Sequence, residues 1–211
     1  LERDIRTYDV QTVASQGKKI WNKKLGKITV EGGTENDKSV FYTSLYRTYE
    51  RMINISEDGR YYSAFDCKVH DDNGIPFYTD DWIWDTYRAT HPLRVLIEPE
   101  IECDMISSYI RMAEQTPQGW MPTFPEVTGD SHRMNGNHAI AVIWDAYSKG
   151  LTNFSLERAY EACQKAIMEK TLLPWQKLPL TELDRFYHKN GFFPALHPGE
   201  AETCQEVHNG E

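Results

Sequence analysis

Apolar residues recur at helical spacing along much of this 211-residue chain, and the places where the spacing fails are as informative as the places where it holds. Val10, Val13, Ala14, Ile20, Trp21 and Leu25 predict a helix over 8–25, with Gly17 inside it and Gly26 as its stop. Lys27-Ile28-Thr29-Val30-Glu31 alternates as a short strand does, and Gly32-Gly33 turns the chain after it. Asp37 is the expected cap of a second helix whose Val40, Phe41, Ser44, Leu45, Thr48 and Met52 make one face. Between Asn54 and Tyr78 the pattern shifts to strand pieces joined by turns at Asp58-Gly59 and Asn73-Gly74.

Helical spacing returns at Trp82–Ala89, preceded by the acidic pair Asp80-Asp81, and His91-Pro92 is expected to interrupt it. Pro99 opens a helix over 100–114 with a stripe of Ile101, Met105, Tyr109 and Met112. Residues 120–131 carry two prolines, a glycine and large aromatics, which predicts a loop of defined shape, the kind that serves a site. Residues 139–147 are apolar almost all round, as a helix buried in a larger assembly is. Ser155 caps a further helix with a face of Leu156, Ala159, Tyr160, Cys163 and Ile167, and a weaker helix follows Pro174, near 180–188. The tail from His197 is polar and irregular. Six or seven helices with short connections and a few minor strands predict a mainly α, layered or toroidal body.

Composition narrows the partners. With 32 acidic against 23 basic residues the formal charge is −9 and the isoelectric point about 5.3, the wrong sign for neutralising phosphates, which argues against nucleic acid as a partner. No apolar run approaches the roughly 20 residues of a membrane span, and mean hydropathy is −0.63. Residues 1–4 lack the basic flank and apolar run of a signal peptide. Cys67, Cys103, Cys163 and Cys204 form no Cys-x-x-Cys pair, which argues against a zinc knuckle or redox motif. The excess is aromatic: 6 Trp and 12 Tyr among acids suit sugars, whose C–H faces pack on rings while their hydroxyls seek hydrogen bonds, although such residues also serve as ordinary core.

Three constellations carry candidate chemistry. Asp85 and Arg88 stand three apart on the expected helix beside Trp84, a pair able to hold adjacent sugar hydroxyls or simply to form an intrahelical ion pair. Glu126 and Asp130 share a loop with Trp120 and Phe124, and a carboxyl beside apolar rings is suited to act as a general acid; a turn and helix cap is the plainer role for Gly129-Asp130-Ser131. Asp66 follows Tyr61, Tyr62 and Phe65 as a third carboxylate near aromatics. His132 and His138 are six apart with no acidic residue at ligand spacing, which disfavours zinc; neither a Gly-x-Ser-x-Gly nucleophile motif nor a glycine-rich phosphate loop occurs.

A series of segments, in order, resembles glycoside hydrolase family 92. It comprises Trp21-Asn22 to Leu25-Gly26-Lys27-Ile28, Val30-Glu31-Gly32-Gly33, Phe41 to Arg47, Asp58-Gly59-Arg60-Tyr61 with Asp66 and Lys68, and Trp84-Asp85-Thr86-Tyr87-Arg88. His91-Pro92-Leu93, Gly119-Trp120-Met121-Pro122, Met134 with Gly136, and Asp145-Ala146-Tyr147 with Lys149-Gly150 continue it, so the resemblance covers roughly residues 18–175.

That resemblance implies calcium-dependent, inverting, exo-acting α-mannosidases, built from an N-terminal β-sandwich and an (α/α)6 toroid. It implies a linker helix and strand over 1–35 and the first part of the toroid over 36–211, in a chain that is a fragment. Most of the calcium ligands, the catalytic base, the sandwich and the second half of the toroid are then expected elsewhere, the substrate is a mannose-containing glycan, and the location is secreted, periplasmic or cell-surface. The family's general acid, a Glu in a Gly-Asn-Glu-Thr segment, aligns with Asp130 in Thr128-Gly129-Asp130-Ser131, one methylene shorter, and Glu126 is the alternative acid. Trp84, Asp85, Arg88, Asp66 and Trp120 are the sugar-holding candidates. An α-1,2 mannosidase is the leading expectation; a mannosyl-phosphate-cleaving variant and a non-catalytic carbohydrate-binding or scaffold domain are the others.

Overall fold

Residues 7–134, 136–171, 173 and 179–192 are described by the computed structural model, and the chain divides into two units, Leu1–Glu50 and Arg51–Glu211. Among the described residues there are eight helices and six short strands, so the mainly helical expectation holds.

In the first unit Asp9 accepts from the amides of Gln11 and Thr12 and starts α1 (Val10–Leu25), which runs unbroken through Gly17 to Gly26. Helix α2 (Glu35–Arg47) starts three residues earlier than a cap at Asp37 would place it. Thr34 is the cap, its hydroxyl accepting from the Asp37 amide at 3.2 Å while the Asp37 carboxylate accepts from the Thr34 amide at 2.8 Å. The strand expected at 27–31 is absent, for want of a partner strand. Instead the Tyr42 hydroxyl donates to the Ile28 carbonyl at 3.1 Å and accepts from the Val30 amide at 3.4 Å, so one side chain of α2 holds that segment.

The second unit begins with strand pieces. β1 (Ile53–Asn54) pairs antiparallel with β4 (Tyr78–Thr79), and β2 (Arg60–Ser63) with β3 (Lys68–Asp71), Arg60 facing Asp71 and Ser63 facing Lys68. Tyr61 and Phe77 stack with centroids 4.0 Å apart, both buried. The Arg111 guanidinium lies over both rings and donates to the Ile75 and Pro76 carbonyls at 3.0 and 2.7 Å. Ser63 Oγ donates to Gln115 Oε1, and Gln115 Nε2 to the Tyr61 hydroxyl, each at 2.7 Å. The hairpin is thus fastened to the helix that carries Arg111 and Gln115's neighbours.

That helix is α5 (Pro99–Glu114), opened by Pro99 where a missing amide costs nothing. Its buried surface exceeds the expected stripe: Cys103, Met105, Ile106, Tyr109, Ile110, Met112 and Ala113 are all buried, because α4 (Thr90–Ile97), α6 (His138–Ser148) and α7 (Leu156–Glu169) all pack on it. The larger of these, such as Met105, Ile106, Ile110 and Met112, contribute about 1.5–3 kcal/mol each by burial. The helix expected over Trp82–Ala89 is only one turn, α3 (Ile83–Thr86). His91 and Pro92 do not interrupt a helix but lie in the first turn of α4, where proline is tolerated.

Helix α6 is buried at Ala139, Val142, Ile143 and Ala146 only; Trp144 is 65% exposed. Capped by Ser155, α7 buries Ala159, Ala162, Cys163 and Ala166 and leaves Tyr160 and Ile167 exposed. Between them runs an apolar groove of about 610 Å³ lined by Ile140, Ile143, Trp144, Tyr147, Leu156, Tyr160 and Cys163. Thr181 and Asp184 form the capping box of α8 (Glu182–Asn190). Pro174 and the polar tail from His197 lie outside the described residues.

Candidate functional site

Pro122 and Pro125 lack amide protons, so the loop that holds them needs an organiser other than a long ladder. Asp130 is that organiser. Its Oδ2 accepts from the Thr123 amide at 2.8 Å, and its Oδ1 from the amides of Phe124 at 2.8 Å and His132 at 3.1 Å. The Ser131 amide donates to the Phe124 carbonyl at 3.1 Å, and the two-residue strands β5 (Pro125–Glu126) and β6 (Gly129–Asp130) close the hairpin. Gly129 adopts φ 109°, open to glycine at little cost. Asp130 therefore caps a loop, not the helix expected after it, and its oxygens meet amides rather than ring faces.

A cavity of about 220 Å³ opens against this loop. Trp120, Met121, Pro122, Gly129, Asp130 and His132 form one side, Ala64 and Phe65 from the end of β2 another, and residues 116–118 after α5 the rest. His132 Nε2 stands 3.4 Å from Asp130 Oδ2, with both side chains about one-tenth exposed. A carboxylate, an imidazole and two aromatic rings on one concavity match the demands of a sugar.

The other sequence candidates lie apart from this cavity's lining. Glu126 pairs with the Arg133 guanidinium at 3.2 Å. Since α3 stops at Thr86, Asp85 and Arg88 do not share a helix face; both are exposed, and the Arg88 guanidinium lies 5.9 Å from the half-buried Trp84 ring and donates to the Tyr87 hydroxyl at 3.2 Å. Asp66 accepts from the Lys68 amide at 3.2 Å and contacts His70 Nε2 at 2.9 Å, inside the β2–β3 hairpin whose Ala64 and Phe65 reach the cavity. His138 stacks on Tyr87 at 4.3 Å, and burial lowers its pKa, with the Arg88 charge adding to the effect. Among the described residues no three His, Cys, Asp or Glu side chains converge to hold a metal, so the calcium implied by the resemblance has no such donor set in them.

Sequence reasoning missed the most heavily buried charges. His91 Nε2 contacts Asp81 Oδ2 at 2.9 Å and its Nδ1 contacts Glu102 Oε1 at 2.8 Å, all three side chains at most 1% exposed. The Tyr109 hydroxyl and Thr86 Oγ1 both donate to Asp81, whose own amide donates to the Pro125 carbonyl at 2.8 Å. Burial opposes charge on His91, but the flanking carboxylates of Glu102 and Asp81 outweigh it and raise the imidazole to about 10. Burial likewise opposes ionisation of Asp81, and the His91 charge and hydrogen bonds turn the balance, leaving its carboxyl below the ordinary range. The cluster ties the turn before α3, helices α4 and α5, and strand β5 together. Its partners are 10 and 11 residues from His91, beyond any local motif, and only the acidic residues around His91-Pro92 hinted at it.

The catalytic-domain profile of glycosyl hydrolase family 92 matches residues 1–209. The chain belongs to that family. Solved structures agree. The family 92 inverting mannosidase BT2199 from Bacteroides thetaiotaomicron VPI-5482 is 31% identical with a TM-score of 0.77, over 94% of this chain and 26% of its own. The α-mannosidase BT3965 of family 92 from Bacteroides thetaiotaomicron is 26% identical with a TM-score of 0.78, over 91% and 25%. The family 92 glycosyl hydrolase ccman5, at 21% identity and a TM-score of 0.68 over 92% and 24%, shares the fold. The family 92 chain thus spans about a quarter of the length of these solved relatives. No match was found among curated proteins.

Proposed function

We propose that this family 92 chain is part of the catalytic domain of an exo-acting α-mannosidase that releases mannose from glycans with inversion, at α-1,2 linkages. The cavity shared by Asp130 and Trp120 carries the reading. Trp120 and Phe65 pack on the sugar's C–H faces, and Asp130, with His132 beside it, meets the leaving oxygen or a hydroxyl. Inversion needs a second carboxylate about 6.5–9.5 Å away, with room for water between the two. That base comes from the part of the family domain that has no counterpart in these residues. The mannosidase names of the two relatives at or above 26% identity support the substrate class.

A second reading is favoured by one observation: both Asp130 oxygens are already taken by amides, so the side chain is better set to accept hydrogen bonds than to deliver a proton. A leaving group that needs little protonation, such as a mannosyl phosphate, suits that arrangement. The test is Asp130→Asn in the complete catalytic domain. As proton donor, Asp130 makes the variant lose about 10²–10⁴-fold on alkyl mannosides while substrates with acidic leaving groups are spared. A parent that cleaves mannosyl phosphate far faster than mannobiose, with the variant unchanged on it, selects the second reading. A parent that binds mannosides and hydrolyses none of these substrates refutes both.

A further inference from the structure

We propose that Glu169 and Lys170 are the positioning residues of the Asp130–Trp120 cavity, an inference that rests on reading that cavity as the sugar pocket. The two are adjacent in sequence but straddle the end of α7. Glu169 is its last helical residue, whereas Lys170 is already extended, at φ −103° and ψ 139°, so their side chains diverge. The exposed Glu169 carboxylate accepts from Trp120 Nε1 at 3.0 Å, fixing the indole that forms one part of the wall. Lys170 turns inward and is 2% exposed. Its ammonium donates to Thr123 Oγ1 and reaches the Met121 carbonyl at 3.5 Å.

Thr123 is the residue whose amide donates to Asp130 Oδ2, so hydrogen bonds run from Lys170 through Thr123 to the carboxylate. A buried ammonium needs an opposite charge, and Asp130 supplies it, with His132 next to that carboxylate. The Met121 amide, donating to the Ala162 carbonyl at 3.4 Å, fastens the same segment to α7. Two adjacent side chains of opposite charge thereby set the indole and the carboxylate at a fixed mutual position.

The test uses the complete catalytic domain with 13C-labelled lysine, Lys170 being assigned through Lys170→Arg. Burial disfavours its charged form, so Lys170 is expected to titrate below the exposed lysines, and Asp130→Asn to lower its midpoint further. Thr123→Val, which keeps the carboxylate, is expected to move it the same way. Glu169→Ala is expected to shift the Trp120 indole N–H resonance and leave the Lys170 midpoint in place. Methyl α-mannoside affinity, by calorimetry, is expected to fall at least about ten-fold in both Lys170→Met and Glu169→Ala. A Lys170 midpoint identical in the parent, Asp130→Asn and Thr123→Val overturns the proposal, as does mannoside affinity equal in the parent and both truncations. A parent without mannoside affinity but with the expected titrations overturns the sugar-pocket reading and, separately, upholds the Lys170–Asp130 pairing.

Discussion

Raising the pH removes stability through His91. Unfolded, this imidazole releases its proton near 6.5; folded between Asp81 and Glu102, it keeps the proton to about 10. Below 6.5 both states are protonated and the contribution is complete. Between 6.5 and 10 the folded chain holds up to one proton more than the unfolded, so stability falls with pH, by about 2–3 kcal/mol between pH 7 and pH 9. The buried Cys103 and Cys163 thiols, raised by desolvation, act in the same sense near pH 9, and other groups act outside this range or in the opposite sense. The depressed Asp81 carboxyl acts only in acid, and the lowered His138 only below 6.5, whereas the lowered Lys170 gives stability back toward alkaline pH. Subtraction isolates His91: urea unfolding of the parent and of His91→Gln at pH 7, 8 and 9 is expected to show the gap between them narrowing by that amount. The His91 Hε1 resonance is expected to stay flat from pH 5.5 to 8.5. A midpoint near 6.5, or a gap constant across the series, refutes the argument that two buried carboxylates hold a permanent cation here.

Two further outcomes test the packing. Ile106→Ala, at a fully buried site on α5, is expected to cost about 2–5 kcal/mol in urea unfolding, and a loss under 1 kcal/mol would show that the helix is not central. The α6–α7 groove is expected to bind the apolar dye ANS, and Trp144→Gln to reduce that fluorescence while changing stability by no more than about 0.5 kcal/mol.

Long periodic segments were readable because one physical rule governs them. Pro99 and Ser155 announced α5 and α7, and their apolar spacing did the rest. Short segments were not. Trp82 to Ala89 has helical spacing, but the backbone turns away after Thr86, and the Asp85–Arg88 face disappears with it. Lys27 to Glu31 alternates correctly yet finds no strand to pair with, a fact that belongs to its surroundings and not to the segment. Asp130 was identifiable as a loop carboxylate near Trp120, but the three amides that meet it were not, since nothing in Thr128-Gly129-Asp130-Ser131 encodes the direction of the Thr123 and Phe124 backbone. Lys170 reads in sequence as an ordinary solvated lysine at a helix end. Its burial depends on a loop 47 residues earlier in the chain.

The two sides of the cavity hang from different helices. Phe65 sits in the turn of a hairpin bolted to the end of α5 through Ser63 and Gln115, while Trp120 and the Asp130 loop are anchored to α7 through the Ala162 carbonyl, Glu169 and Lys170. The buried face of α7, which packs on α5 and α6, is mostly alanine: Ala159, Ala162 and Ala166 beside Cys163. The aperture is therefore gauged by a seam of methyl groups, and each extra carbon there would spread the jaws. Its width is adjustable from positions that no occupant would touch.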